Sequence, residues 1–411
     1  PYKNLSLDNN FKIKPLKLVK VLKFKVLPVV TYNVYDNFSI GLIHFNHLLF
    51  RKTHNYAIMP VYSFKNKRWN GYFNYHYFKK IKIHSFNSIK TGIQGQLFGT
   101  ISYDDKSNQY YRINPFIELN NDYTLRELIK GQNKIISNWR LDWVHTGMTQ
   151  KYYELKDTLN KPITFEYDNV HFFNFIKLSH SVTNYNNDKF PFQIKSNLEF
   201  AQSFRGASSV SQWAKLWVNL KGKYFFDKKK YLKSSFFAGL FLINNQYVWA
   251  NHQFNVVNVG YNDYRKQQVL MGRQENYFTN SMFSRQVIDG NNESMRHSYL
   301  FVNNDKWMLS SNNEITLPGI IPFNLYLDLN YTQSIYYSTN GKNYNKPEIS
   351  TTIGLNLPIF KEVVELFIPF YFSKNIQVLA NKNRFSYGGF KLNLNKLHPM
   401  DINSNALKNP L

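Results

Sequence analysis

The sequence contains no cysteine, which excludes disulfide frameworks, thiolate metal sites and cysteine nucleophiles. With no thiol to report it, the redox compartment stays open. Acids are scarce: 26 Asp and Glu stand against 51 Lys and Arg, a formal net charge of +25. Such an excess attracts polyanions, whether nucleic acid, anionic lipid or acidic glycan. Long apolar runs are missing too. The best stretch, Leu27 to Phe50, is broken by Asn33, Asp36, Asn37, His44, Asn46 and His47, so no helix of the roughly 18 apolar residues that cross a bilayer can be drawn. Lys12 to Val30 is a lysine-spotted run with a proline, not a charged head before a clean apolar stretch. No signal peptide is read there, and the chain, starting at Pro1, is expected to begin internally, after processing, truncation or an upstream domain.

What the sequence has in excess is rings: 30 Tyr, 35 Phe and 7 Trp, 18% of the chain. Codon bias on an ordinary β protein is one reading, since Lys, Asn, Phe, Tyr and Ile share AT-rich codons. Alternation supplies another. Ala214, Leu216, Val218, Leu220, Gly222 and Tyr224 share one strand face, and Lys215, Trp217, Asn219, Lys221 and Lys223 share the other. Phe192, Ile194, Leu198 and Phe200 oppose Gln193, Lys195, Asn197 and Glu199; Phe390, Leu392 and Leu394 oppose Lys391, Asn393 and Asn395. Runs near ten residues match a strand tilted across a bilayer, whereas soluble sandwich strands average about five or six. In a membrane barrel the apolar face meets lipid, the charged face lines water, and aromatic belts form where strands leave the hydrocarbon. Trp69, Phe73, Tyr75, Tyr77 and Phe78 in one segment, and Phe367, Phe370, Tyr371 and Phe372 in another, supply such belts.

Sixteen candidate strands start near Val29, Ser39, Tyr56, Trp69, Ile83, Tyr110, Ile135, Phe165, Phe192, Ser211, Leu232, Trp307, Phe323, Glu348, Val363 and Phe385. The fold class is therefore all-β: a transmembrane antiparallel β-barrel of the bacterial outer membrane with about 16 strands, within a range of 14 to 16. Residues 1–26 read as a basic periplasmic entry segment, 27–397 as the barrel and 398–411 as a periplasmic tail. With a periplasmic N-terminus, the outward connections include Ser102 to Gln109, Thr149 to Lys161, Asn244 to Arg296 and Tyr336 to Lys346. Asn244 to Arg296 is too aromatic for a disordered loop, so an ordered extracellular element is expected, with extra strands or a fold across the mouth. The opposite connections are short except Asn120 to Lys134, where Tyr123 to Lys130 reads as a helical turn or as a merged strand pair.

Certain segments resemble a known family: Pro28 to Asp36 followed by Gly41, Met59 to Phe64 with Gly71, Phe236 to Phe241, Leu270 to Glu275, and Glu365 to Phe370. Their strand and turn pattern is similar to the C-terminal outer-membrane barrel that Bacteroidota attach to gluzincin-type zinc aminopeptidases. The resemblance runs from about residue 27 to the last strand. It implies a barrel whose zinc domain lies upstream; no H-E-x-x-H occurs in this chain, so no catalytic residue is carried over.

Other chemistry finds little support. His44 with His47, and His145 with His180, have no carboxylate at ligand spacing, and read as lumen or rim histidines. Ser179 and Ser181 flank His180, but neighbours on one strand face opposite ways, which disfavours a triad. Asp104 with Asp105, and Asp289 with Glu293, read as solvated loop acids rather than a calcium site. Gly388-Gly389 lies in a strand, not a phosphate loop. Lysine runs such as Lys79 to Lys82 and Asp227 to Tyr231 fall at periplasmic turns, where they snorkel to lipid phosphates rather than bind nucleic acid.

The resulting expectation is a non-catalytic anchor or platform subunit in the outer membrane, with no cofactor and no metal. Its partners are outer-membrane lipid, lipopolysaccharide and other proteins of a membrane complex, a peptidase-like domain first among them. The alternatives are an anion-favouring channel or substrate-passage barrel and, behind it, a barrel-embedded hydrolase. The site residues are a lumen-lining basic face of Lys195, Lys215, Lys221, Lys223 and Lys391, with Leu216, Val218 and Leu220 facing lipid.

Overall fold

A computed structural model describes residues 26–33, 36–46, 53–83, 86–100, 108–121, 135–150, 154–156, 162–164, 169–184, 189–205, 209–227, 230–245, 254–255, 303–304, 306–318, 323–333, 335–338, 341–344, 346–359, 364–374, 376 and 388–392. The first seven strands are β1 (Val26–Asn33), β2 (Asn37–Phe45), β3 (His54–Ser63), β4 (Arg68–Ile83), β5 (Phe86–Thr100), β6 (Asn108–Asn120) and β7 (Ile136–Gln150). The short strands β8 (Glu154–Lys156) and β9 (Pro162–Thr164) follow. Then come β10 (Asn169–Asn184), β11 (Phe192–Arg205), β12 (Ser209–Phe225) and β13 (Tyr231–Asn245), and the two-residue strands β14 (Phe254–Asn255) and β15 (Asn303–Asn304). The rest are β16 (Trp307–Thr316), β17 (Asn324–Thr332), β18 (Ile335–Ser338), β19 (Gly341–Tyr344), β20 (Glu348–Ile359), β21 (Val364–Phe372) and β22 (Gly389–Leu392).

Sixteen of these form one antiparallel sheet in chain order, and β8–β9, β14–β15 and β18–β19 are separate pairs. All three pairs lie in connections on the same rim, called here the long-loop rim. The observed starts at Arg68, Ile136, Phe192, Trp307, Glu348 and Val364 fall within a residue of the expected ones. Larger offsets occur at Phe86, Asn169 and Gly389, each beginning later than the pattern suggested. Among the described residues no ladder joins β1 to β22. Inward side chains as far apart as Val144 on β7 and Phe372 on β21 nevertheless meet in one apolar cluster, so the sheet curls around a shared interior.

Alternation decides what each face meets. Along β12, Leu216 and Leu220 are exposed while Lys215, Trp217, Asn219 and Lys223 are buried. The same split runs along β17, where Asn324, Tyr326, Asp328 and Asn330 point in and Leu325, Leu327, Leu329 and Tyr331 point out. An outside of large apolar side chains around a polar inside is the inverse of a soluble barrel and is the build of a bacterial outer-membrane β-barrel. The rings divide between the two faces. Trp69, Phe73 and Tyr75 are exposed outward as girdle residues, but Phe367 and Phe372 are buried inside, so the second aromatic run serves the interior as well as the belt.

The first hairpin is fastened at the long-loop rim. The buried Asp36 carboxylate accepts from Arg68 Nη2 at 3.0 Å, from Asn66 Nδ2 at 2.8 Å and from the Gly99 amide. Ser63 Oγ donates to the Asp36 carbonyl at 2.9 Å. Asn37, next in the chain, has φ 53°, a left-handed conformation that Asn tolerates better than most residues. One carboxylate thereby ties the β1–β2 turn to β4 and β5.

Val218 faces outward between Ser196 on β11 and Ala238 on β13. Val218→Arg is expected to lower folding stability in lipid vesicles by about 2–4 kcal/mol if it lies near the midplane, read from the urea midpoint of the folded fraction. An inverted facing would instead make Asn219→Arg the damaging change.

Candidate functional site

Register aligns inward charges from strand to strand. Asp142 on β7 pairs with Lys177 on β10, Lys177 with Glu199 on β11, and Glu199 with Lys215 on β12. One row towards the short-turn rim, Lys90 on β5 faces Glu118 on β6, which faces Arg140 on β7. Arg140 closes the two rows: Nη2 lies 2.7 Å from Asp142 Oδ1 and Nη1 3.2 Å from Glu118 Oε2. Asn114 and Asn138 donate to the same carboxylates at 3.1 and 2.9 Å. The guanidinium also lies over the Phe116 ring, 4.1 Å from its centroid. Signs alternate around this part of the wall, so each charge sits beside its opposite.

The buried end of the row is Lys215, whose ammonium lies 3.5 Å from Glu199 Oε1, both side chains at most 2% exposed. Trp213 Nε1 donates to the same oxygen at 3.2 Å. The Trp217, Phe241 and Phe254 rings stand 5.4–5.6 Å from the Lys215 nitrogen, a cation–π enclosure that supplements the ion pair. Phe254 belongs to none of the wall strands. It comes from the long connection between β13 and β16, and its ring packs on Phe237 and Phe241 at centroid distances of 5.6 and 4.9 Å. Gly239 gives it space, since a Cβ there would come within 2.7 Å of the ring. Asn304, paired with Phe254, fixes the returning chain: its Oδ1 accepts from the Lys306 and Trp307 amides at 2.6 and 2.9 Å, and its Nδ2 donates to the Gln333 carbonyl. An apolar cluster of Val144, Phe175, Trp213, Trp217, Phe237, Phe254, Met308 and Ile376 thus occupies the interior beside β7–β16.

A second polar group lies on the other side. Glu314 Oε1 accepts from Asn324 Nδ2 at 2.6 Å and from the Tyr231 hydroxyl at 3.4 Å. The Asn356 amide donates to both Glu314 and Glu365 at 3.1 Å, and Lys391 reaches Glu365 at 4.0 Å.

Of the expected basic face, Lys215 and Lys223 are buried, Lys195 and Lys391 half-buried and Lys221 exposed. Lys215 and Lys391 are ion-paired, and Lys223 sits 3.7 Å over the Tyr231 ring, so these lysines do not form an uncompensated cationic surface. Leu216 and Leu220 are exposed on the outward face, and Val218 is half-exposed between them.

Two of the histidines read as lumen or rim residues lie on the outward face. His145 and His180 share the outward face with Trp143 and Leu178, not the lumen. His145 Nδ1 contacts Asn174 Oδ1 at 2.6 Å and Nε2 contacts the Tyr111 hydroxyl at 3.0 Å. His180 Nε2 meets Ser137 Oγ at 3.0 Å, and its ring stacks on Trp139 at 4.2 Å. The serine beside His180 therefore comes from the neighbouring strand, not from Ser179 or Ser181. His44 is exposed outward near Tyr56. His47, Asp104, Asp105, Asp289, Glu293, most of 244–296, 122–134, and the segments 1–25 and 393–411 lie outside the described residues. Among the described residues no group of three or more His, Asp or Glu side chains could hold a metal ion.

No known family model and no curated protein matches the chain. Among solved structures it is similar to BamA from Haemophilus ducreyi lacking POTRA domains 1-3, at 8% identity and TM-score 0.42, covering 84% of this chain and 66% of that one. It is also similar to CdiB from Acinetobacter baumannii (10%, TM-score 0.36, 85% and 57%) and to the siderophore receptor PirA from Pseudomonas aeruginosa (8%, 0.39, 85% and 66%). The chain spans less than two thirds of the length of each, and likeness at this level carries nothing about function.

Glu199→Gln leaves the buried Lys215 ammonium without its counter-charge and is expected to cost about 3–5 kcal/mol. Replacing both, as Glu199→Leu with Lys215→Met, removes the charge problem and should recover most of that loss. The comparison is read in urea titrations of protein refolded into vesicles; equal damage from the single and double changes would show that the pair is not what holds this level of the wall.

Proposed function

We propose that the chain is a non-catalytic outer-membrane barrel with an obstructed lumen, serving as the membrane anchor or platform of a larger assembly. The observation that carries the reading is the inward-folded Phe254. A conduit gains nothing from an aromatic side chain of a long loop driven into its wall, held by Gly239 beneath and Asn304 behind. The charge pattern supports it too: lumenal lysines matched by Glu199 and Glu365 do not present the cationic surface that an anion-favouring channel uses. The partner proposed first is a peptidase-like domain, on the strand and turn resemblance described above; outer-membrane lipid surrounds the barrel. No catalytic role is assigned to this chain.

Planar-bilayer recording tests the reading. The wild-type chain should give little or no steady conductance, and Phe254→Ala combined with Asn304→Ala, which removes the seat and the tether, should raise it. A large, anion-selective current from wild type, lost on changing Lys221 to Glu, would favour the substrate-passage reading instead.

A further inference from the structure

Charge is unevenly shared around the wall. Residues 26–100, which build the first five strands, contain nine Lys and Arg but a single acid, Asp36. That carboxylate is already committed: buried, it lies 3.0 Å from Arg68 Nη2 and accepts from Asn66 Nδ2 at 2.8 Å. No other carboxylate exists in these strands or their connections.

Two of the remaining cations sit at the long-loop rim, in the tight connection 64–67 between β3 and β4. Lys65 and Lys67 are exposed, and among the described residues no carboxylate lies within ion-pair distance of either. The turn that carries them is fixed from within. Asn66 donates through its side chain to Asp36 and through its backbone amide to Ser63 Oγ at 3.3 Å. Lys67 has φ 49°, a left-handed conformation that glycine or asparagine would hold with less strain. A lysine at that point instead adds a second cation two positions from the first.

An independent observation lies on the outward face beside the turn. Tyr32 on β1 is opposite Phe38 on β2, and Tyr62 on β3 is opposite Trp69 on β4. Their rings meet at centroid distances of 5.0 and 5.4 Å, and Phe64 adds an edge contact to Tyr62 at 5.7 Å. Phe38, Phe64 and Trp69 are 61, 58 and 63% exposed, so the protein itself covers less than half of each ring. Exposed rings at a strand end mark the girdle where the wall leaves hydrocarbon, which puts the lysines of the adjoining turn at headgroup level. The connections 34–36 and 64–67 are among the shortest of that rim, and neither is long enough to stand between the wall and neighbouring lipid.

We propose that the β1–β4 flank binds lipid A in the outer leaflet, Lys65 and Lys67 meeting its phosphates while Phe38, Phe64 and Trp69 pack on its acyl chains. The inference rests on the outward placement of the long-loop rim. A phosphate monoester, as on lipid A, carries about −1.5 to −2 at neutral pH, more than a phospholipid diester, and lysine offers it a compact cation with three donors. Attraction to anionic headgroups grows with each lysine held near the membrane surface. Lys79 and Lys80, exposed on the short-turn rim, face the opposite leaflet and supply the control.

The full chain, folded in dodecyl maltoside and checked by heat-modifiable gel mobility, is titrated with bisphosphorylated lipid A, and the bound fraction is read by native mass spectrometry. Lys65→Gln with Lys67→Gln should weaken binding at least about fivefold, while Lys79→Gln with Lys80→Gln should stay within about twofold of wild type. Removing the phosphates from lipid A should weaken wild-type binding as much as the first pair does, a comparison that decides alone if that variant does not fold. Unchanged affinity in the first variant, or an equal loss in the second, would overturn the proposal. Equally tight binding of dioleoylphosphatidylglycerol would overturn it too, since any anionic lipid would then serve. The premise has its own check: with no other cysteine in the chain, Ser338→Cys in the β18–β19 pair of the same rim should react with a membrane-impermeant maleimide on intact cells. No reaction there would remove the outer leaflet, and lipid A with it, whatever the affinities in detergent. None of these results bears on the conductance that tests the obstructed lumen.

Discussion

Backbone hydrogen bonding in hydrocarbon is the constraint on which the rest of this structure depends. A peptide group that crosses a bilayer as a strand has no water to bond, and each unsatisfied N–H or C=O costs several kcal/mol. The chain meets that demand with a ladder unbroken from β1 to β22. From β2 to β21 each wall strand is locked between two neighbours, so residues alternate between outside and inside except at the bulges, and inward polar residues such as Lys177 and Glu199 face each other across the ladder. The alternating signs of Lys90, Glu118 and Arg140, and of Asp142, Lys177, Glu199 and Lys215, are a consequence of that locking. Side chains that are distant in sequence are held opposite each other on adjacent strands of a fixed sheet.

That also explains what could be read in the sequence and what could not. A period of two is a local signal, so the strand count and the outward facing of Leu216 and Leu220 were legible from a dozen residues at a time. The partnership of Lys215 with Glu199 was not, because it depends on register across a turn: a slip of one residue would put every side chain on the opposite face. Phe254 was even less accessible to sequence reasoning. Nothing in its neighbours shows that it turns inward, and the space it enters exists only because Gly239, on a different strand, has no side chain. The outward facing of two histidines was hidden for a related reason. His145 and His180 were read as lumen or rim residues; the hydrogen-bonding partners Asn174, Tyr111 and Ser137, which support them on the outer face, come from flanking strands.

The net charge of +25 divides in the same spatial terms. Inside, cations are set against carboxylates or aromatic rings, as desolvated charges must be. Outside the belt, Lys79 and Lys80 at the end of β4 are exposed on the short-turn rim, where a long aliphatic stem beside the belt and a charge among lipid phosphates are both satisfied. Overall charge therefore says more about the membrane surface than about any cargo, and the attraction of polyanions inferred from composition belongs to the rim rather than the interior.

The reversal along β7, β10 and β11 shows how far this logic extends. A membrane barrel places apolar side chains outside and fills its interior with polar ones; a soluble barrel does the opposite. At the level of Val144, Phe175 and Ala201 the interior is apolar because Phe254 and Ile376 have been brought in to pack there, and a filled interior no longer needs polar side chains to hold water. The outward neighbours His145, Asn174 and Gln202 are then polar on a wall whose stability at that height comes from within. Inward packing of the long connection and the polar outward row are two sides of one arrangement. Where the interior supplies a hydrophobic core, the stability of the wall at that height no longer depends on apolar side chains facing outward.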